Sequence, residues 1–262
     1  LLQGAAHAKF LRYVLPLLPF LSIGGAALSV AAWDGIGRKW RGRPRSAARA
    51  LWIVLVAGVV GATAWYAIAF LNVYRHPHSW IEASLWLCRN ASPGSTILTE
   101  YWDDPLPARG AYCSPEDHTM VQVDMYAADT KGEIDPLLES IAESDYIVLS
   151  SQRLYAPIVR LTERYPRASD YYRKLFSGEL GFELVAAPAA YPQACGITLL
   201  HDPRKGLGLD APPLLSEQRP DGRVLQLGWV DESHVVYDHP QPLVFARTRS
   251  LSLQELKALL SP

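Results

Sequence analysis

The stretch Asp34–Arg49, DGIGRKWRGRPRSAAR, sets Arg38, Lys39, Arg41, Arg43, Arg45 and Arg49 against a single acid, Asp34. An apolar run lies on each side of it. From Tyr13 to Trp33 no ionisable side chain occurs except Tyr13 itself, and from Ala50 to Tyr74 only Tyr66 and Tyr74 interrupt. Both runs exceed the roughly 18 residues that mark a candidate spanning helix. The sequence therefore predicts two transmembrane helices, at about 12–33 and 50–74, joined by a basic loop. Short loops rich in Lys and Arg stay on the cytoplasmic side. That topology puts the first residues of the chain and everything after Tyr74 on the opposite side. Phosphoinositide or nucleic-acid binding is the competing explanation of such a basic loop.

A cleaved signal peptide fits poorly, because there are two long runs, no initiator Met and no small-residue cleavage site. Leu1 falls within hydrophobic sequence, so the chain reads as the C-terminal piece of something longer. Residues 75–262 read as one extracytoplasmic domain. Of the 25 basic and 26 acidic residues in the chain, eight basic and one acidic precede residue 75, leaving this part with a formal charge of −8. A surface of that sign argues against a nucleic-acid partner. Cys88, Cys113 and Cys195 all fall here, where one disulfide is permitted. The alternatives are a Cys113–Cys195 bridge and three separate buried thiols. No CxxC spacing is present, so no metal site is expected from the cysteines.

Within 75–262 helical and extended patterns alternate. HSWIEASLWLCRN reads as a helix, SPG as a turn and STILTE as a strand. GEIDPLLESIAES is an amphipathic helix, followed by the buried strand DYIVLSS. QRLYAPIVRLTERYP and ASDYYRKLFSGELG give two more helices, the second ending at Gly178 or Gly181. FELVAAP and GITLL are strands, and VVYDHPQPLVFAR is a strand or hairpin. HDPRKGLGLDAPPLLSEQRPDGR, rich in Pro and Gly, reads as a long surface loop. SLSLQELKALL is a terminal helix, with Ser252 and Glu255 spaced as a capping box. The fold class is α/β: two transmembrane helices followed by an extracytoplasmic α/β domain with a small mixed, partly parallel sheet.

Three groups of residues invite chemistry. His7, Lys9 and Arg12 stand at the outer end of the first span, against the usual charge bias, with Pro16 and Pro19 breaking the helix just beyond. A lipid-linked phosphate at headgroup depth would accept charge-assisted hydrogen bonds from these cations. Snorkelling to ordinary headgroups would explain them too. Glu100, Tyr101, Trp102, Asp103 and Asp104 pair carboxylates with aromatic rings, a combination suited to sugars, and could also take a divalent cation through oxygen ligands. A solvated turn before Pro105 is the plainer alternative. His234, Asp238 and His239 lack zinc-site spacing and read as a turn, and Tyr171 and Tyr172 read as packing. Asn90 opens a glycosylation sequon. No nucleophile elbow, Walker A loop or dinucleotide fingerprint is present.

HAKFLRYVLPLLPFL, residues 7–21, resembles a late span of polyprenyl-phosphate-sugar-dependent glycosyltransferases of the GT-C membrane superfamily, the group of the protein O-mannosyltransferases and aminoarabinose lipid A transferases. DYIVLSSQRLY, RYP, YYRKLFSGELGFELV and DESHVVYDHPQPLVF are similar to the extracytoplasmic tail of bacterial members. SLWLCRNASPGSTILTEYWDD also resembles the helix, turn and strand that end in the WWDYG motif of oligosaccharyltransferase catalytic subunits. Tyr101, Trp102 and Asp103 match Trp-Trp-Asp, whereas Asp104 and Pro105 replace Tyr-Gly, so only the facing of this strand end toward a cavity is carried over. The resemblance implies an inner-membrane enzyme that moves a sugar from a polyprenyl-phosphate donor to an extracytoplasmic acceptor. Its catalytic carboxylate would lie on a loop preceding Leu1, leaving this piece inactive alone. Lys9 and Arg12, with His7, would then contact the donor phosphate, and Glu100, Tyr101, Trp102 and Asp103 would line the acceptor cavity. A membrane-anchored binding or envelope-assembly domain is the non-enzymatic alternative.

Overall fold

The computed structural model describes residues 11–108, 117–202, 204–218, 220, 222–230 and 234–260. His7, Lys9 and Cys113 lie outside the described residues, and of Arg12 only the backbone is described. A 3-10 turn, Leu11–Leu17, carries Pro16 and leads into α1 (Leu18–Lys39), which has Pro19 in its first turn. Proline is tolerated there because the first helical N–H groups have no intrahelical acceptor. α2 (Arg43–Leu71) follows after three residues, with Gly42 at φ +66° making the reversal. The basic stretch predicted as a loop is therefore mostly helical. Arg and Lys are good helix formers, and the two helices run on past their apolar segments.

Both helices are long and apolar enough to cross a membrane. α1 buries none of its described residues and α2 only Ala69. Phe20, Ile23, Leu28, Leu51, Val54 and Val60 are among the large apolar side chains left uncovered. Contiguous apolar surface of this kind marks contact with lipid or with other protein.

After a 3-10 turn (Asn72–Arg75), α3 (Ser79–Asn90) leads through a turn into β1 (Thr96–Glu100). Then come β2 (Thr119–Val123), α4 (Ala127–Thr130), α5 (Asp135–Glu143), β3 (Tyr146–Leu149), α6 (Tyr155–Arg160) and α7 (Pro166–Phe176). The chain continues through β4 (Phe182–Ala186), β5 (Gln193–Ala194), β6 (Ile197–Asp202), α8 (Pro213–Glu217), β7 (Arg223–Trp229), β8 (Leu243–Arg247) and α9 (Leu253–Leu260). The main sheet has the order β2-β1-β3-β8-β4, with β2, β1 and β3 parallel and β8 antiparallel to both of its neighbours. A second sheet, β5-β6-β7, joins a tight hairpin to a parallel strand.

The two-residue period of the strands sorts their side chains into two layers. Leu98, Ile147, Leu149, Leu243 and Phe245 pack with α5, α6, α7 and α9 in the larger core. Ile97, Val148 and Val244 point the other way, onto Ala83 and Leu87 of α3. The mixed, partly parallel sheet expected from the alternating pattern is present. Gly181, at φ +78°, lies against the Arg249 backbone, which donates from its N–H to the Gly181 carbonyl at 3.0 Å. The Ser252–Glu255 capping box forms, with the Ser252 N–H 2.8 Å from Glu255 Oε2 and the Glu255 N–H 3.3 Å from Ser252 Oγ.

Two expectations are corrected. Cys195 is exposed and free while Cys88 is disulfide-bonded, which rules out both the Cys113–Cys195 bridge and three buried thiols. The expected loop 201–223 contains the end of β6, the short α8 and the first residue of β7. The stretch 235–247, expected as a strand or hairpin, supplies the single strand Leu243–Arg247, preceded by a turn whose His239 packs on Phe70 of α2.

Candidate functional site

The parallel strands β1 and β3 end side by side, and the loops that follow them, 101–104 and 150–153, meet. Carboxyl ends of parallel strands are where open α/β sheets commonly place ligands. Along β1 the alternation that buries Leu98 on the helical side sends Glu100 the same way, toward α7. Glu100 is 2% exposed, and its Oε1 accepts a hydrogen bond from the Tyr172 hydroxyl. Burial pushes the Glu100 carboxyl up to about 8, against the lowering effect of the Tyr172 hydrogen bond and with a further push from the charge of Asp103. At neutral pH Glu100 is predominantly a neutral acid.

The chain then turns sharply. Trp102 has φ +73°, a conformation that a bulky L-residue adopts only at a cost. Tyr101 and Trp102 stand exposed, edge to face with ring centroids 5.4 Å apart. Asp103 folds back: its Oδ2 accepts from Ser151 Oγ at 2.5 Å and its Oδ1 from the Asp104 N–H at 3.2 Å. Burial raises the Asp103 carboxyl, and the Ser151 hydroxyl, the Asp104 N–H and the Arg153 guanidinium oppose the shift. Ser150 Oγ donates to the Asp104 carbonyl at 2.6 Å, and Arg153 donates to the Tyr237 hydroxyl at 3.0 Å.

Beneath this lip are buried polar atoms without a hydrogen-bond partner among the described residues: Glu100 Oε2, Tyr171 Oη and Gln152 Nε2. A buried polar atom left unpaired costs about 1–3 kcal/mol. Water or a ligand hydroxyl would relieve that cost. The Tyr171 and Tyr172 phenols are raised well above their ordinary range, chiefly by burial and then by the charge of Glu100, so both stay protonated throughout the physiological range.

The predicted group Glu100, Tyr101, Trp102 and Asp103 thus divides into two carboxyl groups drawn inward and two rings presented outward. Sequence reasoning missed Ser151 and Tyr172 as its hydrogen-bond partners, since they come from β3's exit loop and from α7. A signal did exist for Ser150 and Ser151, two small polar residues directly after a buried strand.

A polar cavity of about 430 Å³, lined by Tyr191, His201, Asp202, Arg204, Gln226 and Gln241 among others, opens between the second sheet and the α8 segment. Arg204 donates to Gln241 Oε1 at 2.5 Å, and the Tyr155 phenol hydrogen-bonds with Arg204 and feels the charge of Glu100. The predicted turn residues His234 and His239 pack edge-on against Phe70 of α2, at 5.5 and 5.2 Å, and His201 lies 4.8 Å from His234. Tyr74 donates to Asp238 Oδ1 beside them. Among the described residues no group of His, Cys, Asp and Glu is arranged to hold a metal ion. Comparison with family models, with curated proteins and with solved structures finds no match to the chain.

Proposed function

We propose that the chain is the membrane-anchoring and acceptor-side part of a GT-C-type glycosyltransferase, which moves a sugar from a polyprenyl-phosphate donor to an acceptor on the side of the membrane that holds the α/β domain. The observation carrying this reading is the exit of β1, where exposed Tyr101 and strained Trp102 overhang the inward-drawn carboxyl groups of Glu100 and Asp103. Aromatic faces cover the apolar side of a sugar ring while carboxyl and hydroxyl groups meet its hydroxyls. Further support comes from the resemblance of residues 7–21 to a late span of that superfamily, from two helices of spanning length, and from the Cys88 disulfide, which suits an oxidising compartment.

Glu100 holds its proton near neutral pH, so it donates or relays a hydrogen bond and does not act as the base that deprotonates an acceptor. Asp103, held by Ser151, orients the acceptor. His7, Lys9 and Arg12 are assigned to the departing lipid phosphate, whose growing charge preorganised cations would stabilise. The deep burial of Glu100 favours a second reading, a membrane-anchored binding domain in which that carboxyl is purely structural.

Transfer from a polyprenyl-phosphate-linked sugar, measured with the protein as its gene encodes it, separates the two. Trp102→Ala and Asp103→Asn should lower transfer while donor binding persists, and Lys9→Gln with Arg12→Gln should weaken donor binding. Transfer and donor binding unchanged in all of these variants would sink the assignment.

A further inference from the structure

The second sheet is seated on the end of α2. Ala194 of β5 and Leu199 of β6 form a buried cluster with Ala69, against which Trp65, Tyr66 and Ile197 pack. From Arg49, the last cation of the basic stretch, to Ala69 is 20 residues of helix, or about 30 Å at 1.5 Å per residue. The hydrocarbon core of a bilayer is also about 30 Å thick. With Arg49 at one face, Trp65, Tyr66 and Ala69 reach the other, and β6 lies at headgroup level beside them.

β7 pairs in parallel with β6, beginning with Arg223 opposite Ile197 and placed about 4.8 Å to its side. Six of its seven residues are exposed, although it is largely apolar: Val224 is 39% exposed, Leu225 47%, Leu227 43% and Trp229 51%. A lone exposed leucine means little, but an apolar, solvent-bare strand at the free edge of a sheet needs a partner. Arg223 at its start is exposed, and the Arg160 guanidinium lies 5.0 Å over the Trp229 ring. Apolar residues flanked by a cation and a tryptophan are the composition of an interfacial segment.

We propose that β7 rests on the lipid headgroups of the leaflet bordering the domain, with Leu225, Leu227 and Trp229 entering the interfacial region and Arg223 meeting lipid phosphate. The proposal rests on the reading that α1 and α2 cross the membrane. Its occupant is lipid because the same sheet packs, through Ala194 and Leu199, on the end of the helix that would enter the bilayer. That contact fixes the domain against the membrane and brings the polar cavity beside β7, lined by Val224, Gln226 and Arg204, to the surface where a lipid-linked group would arrive.

The test uses the full chain in vesicles of phosphatidylcholine and phosphatidylglycerol, with Cys195 replaced by Ser. Spin labels are attached singly at Leu225→Cys and Leu227→Cys, with Val59→Cys in α2 as the lipid reference and Lys131→Cys as the aqueous one. The ratio of collisions with oxygen to collisions with a water-soluble nickel chelate should be several-fold higher at 225 and 227 than at 131. Values at 225 and 227 equal to those at 131, with 59 in lipid, would overturn the proposal and leave the spanning reading intact. An aqueous value at 59 would overturn both. Occlusion from both reagents with spin–spin broadening at 225 would show that a second copy of the chain covers the strand, and would overturn lipid contact.

Discussion

The Tyr172 hydroxyl of α7 donates to Glu100 Oε1 at the end of β1, so a helix and a strand are joined by a hydrogen bond to a carboxyl that is itself fully buried. Two consequences run in opposite directions. The hydrogen bond lowers the affinity of Glu100 for its proton, while desolvation raises it by more.

Because the folded carboxyl titrates near 8 and the unfolded one at its ordinary 4.5, the folded state holds a proton that the unfolded state releases. Stability from this group is fully present below pH 4.5 and is lost as pH rises through 8. The change is on the order of 5 kcal/mol. Glu100→Gln keeps the shape without the titration and should remove this decline. Thermal unfolding of the chain in detergent, followed by near-ultraviolet circular dichroism from pH 5 to 9, reads the effect. Parallel pH profiles for the two proteins would mean that Glu100 is ionised in the fold. Tyr172→Phe should cost about 1–3 kcal/mol at pH 6 by leaving the Glu100 oxygen unpaired.

The alternating texture of residues 75–262 was enough to read an α/β domain, because β1, β3, β4 and β8 are dense in apolar residues and bounded by turn residues. β7 was hidden in a Pro- and Gly-rich neighbourhood, and its sequence RVLQLGW lacks the polar alternation of a half-buried strand. β2, TMVQV, is an edge strand with only Val123 buried, so its pattern is faint as well. At the site, Glu100 to Asp103 were legible as an acidic and aromatic cluster on one strand end. Their partners Ser151 and Tyr172 were not, since contacts across 48 and 72 residues of chain depend on sheet order and helix packing, which one sequence does not specify.

Gly181 is required by its surroundings. A Cβ there would collide with the Arg249 carbonyl oxygen, and φ +78° disfavours any L-residue. Gly181→Ala should destabilise the domain by at least about 2 kcal/mol, with the loss concentrated where β4 pairs with β8. Chemical denaturation and amide exchange of Phe182 and Thr248 measure it. Unchanged exchange at both positions would show that the backbone yields freely.

Cys195 and Cys88 should separate cleanly by reactivity. A thiol reagent applied to the oxidised, native chain modifies Cys195, and Cys88 becomes reactive only after reduction. Cys88→Ser should cost about 2–4 kcal/mol, whereas Cys195→Ser at its exposed turn should be close to neutral. Mass mapping of the modified peptides decides the matter, and rapid labelling of Cys88 without reductant would contradict the disulfide.

The histidine group between α2 and the domain supplies a pH response opposite in sign to that of Glu100. Burial foremost, then the charge of His234, holds His239 down to about 4. Asp238 pulls upward, and His201 and His78 add to the lowering. Burial and His234 also lower His201. The unfolded imidazole takes its proton near 6.5 and the folded one resists until about 4, so stability present above pH 6.5 is lost as pH falls to 4. For His239 the loss is on the order of 3 kcal/mol. Between pH 6.5 and 4.5 this trend opposes the gain from Glu100, and the native chain should show a shallow profile that conceals two steep ones. Glu100→Gln alone should expose an acid-labile domain, and His239→Gln in that background should flatten the acid limb again. The experiment follows unfolding together with quenching of the aromatic residues at the Tyr66–Phe70 contact. If the double variant keeps the acid limb of Glu100→Gln, His239 is not the group that couples the domain's seat on α2 to pH.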